Sequence, residues 1–198
     1  MTSEEKAKNV VDTLCNYNEN FVDVVGIEEL KNKPLLLKAE VEKTLDTLKS
    51  FETNCSKTFY LLQYCKVLNV LPDYKEECEE CLSKVVKRDP SIVSGWNMLG
   101  ETFWKKGDVL GAKNCFEGAL KREKNKVSLR SLSMVLRQLK EEKTGDSEKN
   151  VLDSVTYAKE AVQLDTDDGY SWYILGNAYL SLFFLTQQNH QVWFLFIF

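Results

Sequence analysis

The sequence predicts an all-α fold of antiparallel helix pairs stacked in series, and three observations carry that prediction. An indole is followed three and four residues later by Leu-Gly and then by an aromatic, at Trp96, Leu99, Gly100 and Phe103. The same spacing returns at Trp172, Leu175, Gly176 and Tyr179. Three Pro and nine Gly in 198 residues leave too little turn-forming material for many short strands.

The spacing has a packing logic. Gly100, Ala112 and Ala119 are small where two helices must approach closely, and Trp96, Leu99, Phe103 and Phe116 are large where volume must be filled. Between them Lys105-Lys106-Gly107-Asp108 reads as a turn. Lysines suit a helix C-terminus, Gly107 the left-handed position after it, and Asp108 the next N-cap. The pattern Trp-x2-Leu-Gly-x2-Tyr followed by Ala-x3-Phe-x2-Ala resembles the tetratricopeptide repeat. That resemblance implies a right-handed superhelix of antiparallel pairs.

The elements follow in order. Residues 4–25 and 36–51 show helical apolar spacing, as in Leu37, Val41, Leu45 and Leu48, and 1–57 reads as a helical cap shielding the first hairpin. Steps of 34 residues then place repeats at 59–92, 93–126 and 127–168, with an incomplete one at 169–187. In the first repeat Leu62, Cys65, Cys78, Leu82 and Val85 fall at packing positions. Trp96 and Trp172 stand eight residues further apart than two periods, so the third repeat holds an insertion. The wholly polar stretch 141–150 supplies it as a loop between helices at 128–140 and 151–164, the second carrying Ser154, Ala158 and Ala161. The stretch 188–198 ends in seven consecutive apolar residues and lacks repeat logic. It is far shorter than the about 20 residues a membrane helix needs. A first helix without its second is expected to belong to a truncated chain.

Several function classes fall away. The formal net charge of −4 gives no general basic field for nucleic acid. No apolar leader follows Met1, so the six cysteines are expected in a reducing cytoplasmic or nuclear compartment. Cys78 and Cys81 have CxxC spacing without a second pair, and the single histidine, His190, is remote, so no metal or other cofactor is expected. No nucleophile–histidine–acid set or glycine-rich phosphate loop appears, and an enzyme is not expected.

Longer strings are more specific than the repeat pattern. Residues 103–109, 125–129, 132–139 and 171–177, among them Ser133-Met134-Val135-Leu136-Arg137-Gln138-Leu139, resemble one family of tetratricopeptide proteins. Its members are stress-responsive cofactors of a histone acetyltransferase co-activator, and also recognise the N-terminal peptide of nascent tubulin at the ribosome. The resemblance implies a non-catalytic scaffold with those partners, active in cytoplasm and nucleus in DNA-damage and transcriptional responses and in decay of tubulin messages. Ribosome and DNA contacts, which the resemblance assigns to further repeats and a C-terminal β domain, are not carried over. The alternative expectation is an inactive or dominant-negative fragment. The family's peptide-contacting lysine and arginine match Lys84 and Arg137, the latter read as position nine of its helix on the groove-lining side. Register alone adds Asn97, Glu101, Trp104 and Lys105 in one repeat and Tyr173 and Asn177 in the next. Glu101 is acidic where clamps for carboxylate termini are neutral or basic, so the mixture suits a short peptide bearing both charges.

Overall fold

The computed structural model describes residues 1–139 and 144–186, and every regular element among them is helical. The helices fall into two compact units divided at Lys105–Lys106.

In the first unit, α1 (Ser3–Glu19) starts at Thr2, whose hydroxyl accepts the Glu5 amide while the Glu5 carboxylate takes the Thr2 amide. This reciprocal cap satisfies two donors that a helix start otherwise leaves open. After the short α2 (Phe21–Val25), Gly26 at φ +101° lets the chain reverse into a 3-10 turn, Ile27–Asn32. In α3 (Lys33–Lys49) the buried positions Leu37, Val41, Thr44 and Leu48 repeat every three or four residues, one stripe of a helix. That stripe meets Ala7, Val11 and Leu14 of α1 and Tyr60 and Val67 of α4 (Lys57–Asn69) in one core. Then come α5 (Glu76–Arg88), acidic in its first turn and basic in its last as the helix dipole favours, and α6 (Val93–Lys106). Gly95 of α6 packs against Val85 and Val86 of α5, where an added Cβ would meet Val85 at 3.4 Å, an ordinary contact distance.

Within this unit Cys65, Cys78, Leu82 and Val85 are buried as the register requires. Leu62 is only half-buried, and Gln63 takes the inward position beside it. The face of α4 is rotated relative to the sequence expectation because α1 and α5 both pack on this helix. Cys65 and Cys78 lie thiol to carbonyl at 3.6–3.8 Å, and Cys78 Sγ also meets Thr102 Oγ1 at 3.7 Å. The hydrogen bonding with Cys78, together with burial, pushes the Cys65 thiol up; the same pairing pulls Cys78 down.

The second unit opens on the predicted turn. Gly107 takes φ +87°, and Asp108 accepts the Gly111 amide at 2.8 Å to start α7 (Val109–Leu120). Asn125 caps α8 (Lys126–Leu136) through the Ser128 amide. Next are α9 (Thr144–Leu164) and α10 (Gly169–Leu185). α8 packs on α7 and α9, and α9 on α10, the pattern of successive antiparallel helices. Ser154, Ala158 and Ala161 are fully buried, so α9 presents a small-residue face to its neighbours.

Two expectations need correction here. The helix predicted over 151–164 begins at Thr144, so most of the polar insertion lengthens α9 instead of forming a loop. Trp172, assigned to packing, is 53% exposed, and nothing among the described residues lies within 4 Å of a Cβ placed on Gly176. By contrast Leu175 and Tyr179 are buried in the α9–α10 core, and Leu99, Gly100, Ala112, Phe116 and Ala119 are buried as expected. Trp96 and Phe103 are half-buried. The two tryptophans share one local device: Trp96 Nε1 donates to Pro90 O at 2.9 Å and Trp172 Nε1 to Thr166 O at 2.8 Å, each six residues upstream. The stretch read as an aberrant tail, 188–198, lies outside the described residues, as do 140–143 of the insertion.

Candidate peptide-binding face

The face with the most binding character lies in the second unit, where α8 and α10 pack side by side. Its foundation is an ion network at the base of α10. Arg130 of α8 donates to Asp168, and both side chains are about 15% exposed, 14% and 15% respectively. Asp168 also accepts the Ser171 hydroxyl at 2.6 Å, while Lys126 pairs with Asp165 and stands 3.8 Å from Asp168. The Ser171 hydroxyl bond, helped by Arg130 and Lys126 against the cost of burial, holds the Asp168 carboxyl below its usual value. Asp165 is likewise lowered, first by Lys126.

On this network sits an aromatic shelf. The Arg130 guanidinium lies 4.8 Å from the centre of the Tyr170 ring, and Tyr170 stacks with Tyr173 at 6.0 Å and 17°. A cation held against an aromatic face fixes the ring without consuming its other face. Tyr170 also donates to Met134 Sδ at 3.8 Å. Tyr173 is 62% exposed and Asn177, one turn along α10, is half-buried.

Arg137 borders the shelf. The structure places it at the C-cap of α8 (φ −71°, ψ −16°), at the helix end and not within the helix as the register suggested. Its Nε donates to Ser133 O at 3.2 Å, which anchors one edge of the guanidinium, and among the described residues its terminal nitrogens remain for a second partner. Burial pulls its pKa down, opposed by the nearby Tyr173 phenol. A partly desolvated cation interacts more strongly with an incoming carboxylate than one in bulk water.

The remaining candidates belong to the first unit. Lys105 is only 16% exposed and its ammonium is fully engaged: it donates to Asn69 O (2.6 Å), Asn69 Oδ1 (2.8 Å) and Leu71 O (2.9 Å). Glu101 accepts Asn69 Nδ2 at 2.7 Å and lies 3.3 Å from Lys105. These two residues therefore tie α6 to the end of α4, where helix carbonyls lack partners, instead of facing a ligand. Asn97 and Trp104 are half-buried on the same helix. Lys84 is exposed on α5 and reaches Glu80 at 3.5 Å across one helical turn, a weak pairing that a ligand can displace.

Sequence reasoning missed Arg130, Asp168 and Tyr170. A signal for the first was present: Lys126, Arg130 and Arg137 are spaced four and seven apart, one stripe of α8, opposite the acidic run Asp165, Asp167 and Asp168. A separate depression of about 170 Å³ lies among α7, α8 and α9, lined by Lys113, Glu117, Asp153 and Tyr157. Among the described residues no group of three or more His, Cys, Asp or Glu side chains could hold a metal ion, and no helix is long and apolar enough to cross a membrane.

Comparison with known proteins agrees with this architecture. Residues 93–126 match the tetratricopeptide repeat family. Tetratricopeptide repeat protein 5 from Homo sapiens, Bos taurus and Mus musculus is in each case 46% identical over 189 residues, 95% of this chain. The chain spans 43% of the length of those relatives. With the repeat's spacing, its paired indole bonds and these relatives, the chain is an all-helical, repeat-based protein-interaction scaffold that carries a tetratricopeptide repeat and is similar over 95% of its length to tetratricopeptide repeat protein 5.

Proposed function

We propose that the α8–α10 face recognises a short peptide carrying both charges, and that the peptide is the N-terminus of nascent tubulin, in which an acidic residue closely follows Met-Arg. The observation that carries this reading is Arg137: half-buried, anchored by one bond to Ser133 O, and beside the exposed Tyr173. Its remaining donors suit a carboxylate in fork geometry. The Tyr170–Tyr173 shelf supplies an aromatic surface for the peptide's own arginine or methionine. Lys84, on the first unit, is a separate candidate peptide contact that rests on the family resemblance alone. The same scaffold, working in cytoplasm and nucleus, serves histone acetyltransferase co-activator complexes as a further partner class.

The test is a titration of fluorescent tubulin N-terminal peptide with the intact chain and its variants. Arg137→Ala weakens binding about tenfold or more, corresponding to about 1.4 kcal/mol or more. Replacing the peptide's acidic residue by its amide weakens wild type similarly and Arg137→Ala little further, because the two changes remove one pair. Lys105→Ala serves as a control: it lowers stability by about 1–2 kcal/mol through the lost carbonyl partners and leaves affinity unchanged. Equal affinity for Arg137→Ala and wild type rejects the clamp. No binding by wild type supports the inactive-fragment reading.

A further inference from the structure

We propose that Cys65, Cys78 and Cys81 form a redox-responsive thiol cluster in which a hydroperoxide oxidises Cys81 and Cys65 then closes a disulfide to it, stapling α4 to α5. The cluster lies wholly within the first unit and does not depend on the peptide-binding reading. A single buried thiol is inert, but here two interior thiols adjoin one that solvent reaches. Cys65 and Cys78 are buried, at 0% and 1% exposed, whereas Cys81 is half-buried. Each interior thiol meets the other's carbonyl at 3.6–3.8 Å, so α4 and α5 face each other directly at this level. The Cys65 thiol is also within hydrogen-bond reach of both the Cys78 and the Cys81 thiol. By contrast, the groups acting on Cys15, Cys55 and Cys115 are carboxylates and one lysine, with no thiol among them.

Helix geometry selects the pair. Cβ atoms three residues apart on a helix are about 5–6 Å from each other, beyond the about 3.5–4.5 Å that a disulfide spans. Cys78 and Cys81, both on α5, therefore do not close a bond while that helix is intact. The partner of Cys81 has to come across from α4, and Cys65 is the thiol placed there.

The chemistry balances in two steps. The Cys81 sulfur attacks one oxygen of hydrogen peroxide, the O–O bond breaks, and a sulfenic acid and one water form. The Cys65 sulfur then attacks the sulfenic sulfur, the hydroxyl leaves, and the proton given up by Cys65 completes a second water. Two thiols are oxidised and one peroxide is reduced. Cys78 sits between Cys65 and Thr102 Oγ1, 3.7 Å away, and is placed to take the Cys65 proton and pass it on. Burial raises the Cys81 thiol, opposed by its bond with Cys65 and by the Lys84 ammonium, so the first step is slow and answers to sustained oxidant. Exchange with a small thiol opens the bond again.

The test is a disulfide map of the full chain, reduced, exposed to hydrogen peroxide, then unfolded and alkylated with N-ethylmaleimide before trypsin. The expected product is peptide 58–66, which holds Cys65, linked to peptide 76–84 through Cys81, with Cys78 alkylated and the link removed by dithiothreitol. In Cys65→Ser, Cys81 is still trapped as a sulfenic acid by dimedone but no link forms. In Cys81→Ser, Cys65 stays reduced. Cys78→Ala slows the link while leaving the rate of dimedone trapping at Cys81 unchanged, a split that a packing role alone does not produce. The wild-type map decides the matter even where a variant folds poorly. The proposal is overturned by full alkylation of Cys65 and Cys81 after peroxide, by a bond between Cys78 and Cys81, or by a bond from Cys65 to Cys78 in Cys81→Ser.

Discussion

Asp168→Ala is expected to destabilise the second unit by about 3 kcal/mol, the scale for removing one member of a buried ion pair. The loss exceeds that of a surface salt bridge because the substitution leaves Arg130, 14% exposed, without its carboxylate, and frees the Ser171 hydroxyl as well. Among the described residues Arg130 Nε has no hydrogen-bond partner, so the guanidinium has little else to rely on. Asp168→Asn retains the shape and the Ser171 bond and costs less. Urea denaturation of the three proteins checks the order.

The same network gives a pH dependence of definite sign. Asp168 and Asp165 both titrate below their ordinary value of 3.8 in the folded chain. A depressed carboxylate stabilises the fold above its unfolded pKa, and that contribution is lost as pH falls through the folded value. Stability is therefore flat near neutrality and declines below about pH 4, more gently in Asp168→Asn.

Phe116→Ala is expected to cost about 3–5 kcal/mol, the range for emptying a fully buried aromatic site. Phe116 is 1% exposed on α7, flanked one turn on either side by Ala112 and Ala119 at 0%. Those alanines are too short to reach into the space the ring occupies, so truncation leaves a cavity beside them. Phe116→Leu refills most of the space and is expected to recover more than half of the loss. A lower denaturation midpoint at constant slope in urea identifies this as a stability effect.

The fold was legible where the code is local. Gly107 needs positive φ and Asp108 caps the next helix, and the structure places both as their chemistry demands; the repeated indole, leucine and glycine fall on α6 and α10 as expected, with Leu99, Gly100 and Leu175 buried but Trp172 exposed. The site was less legible because its partners are distant in sequence. Lys105 looked like a groove cation, yet its ammonium closes the end of α4 about 36 residues upstream, a contact that no periodicity announces. Arg130 reaches Asp168 across 38 residues for the same reason. Arg137 fell at a helix end because α8 stops at Leu136, three to four residues sooner than its apolar spacing suggested. The polar run at 141–150 read as a loop because polarity alone does not distinguish a solvated loop from a solvated helical turn.

The central claim, that the α8–α10 face is where a peptide docks, is tested most directly by amide hydrogen exchange of the full chain with and without saturating tubulin N-terminal peptide. Added protection should concentrate at residues 133–139 and 169–178, with the depression among α7, α8 and α9 unchanged on its α7 and α9 walls. Protection confined to α7 and α9, or spread evenly over the chain, would contradict it.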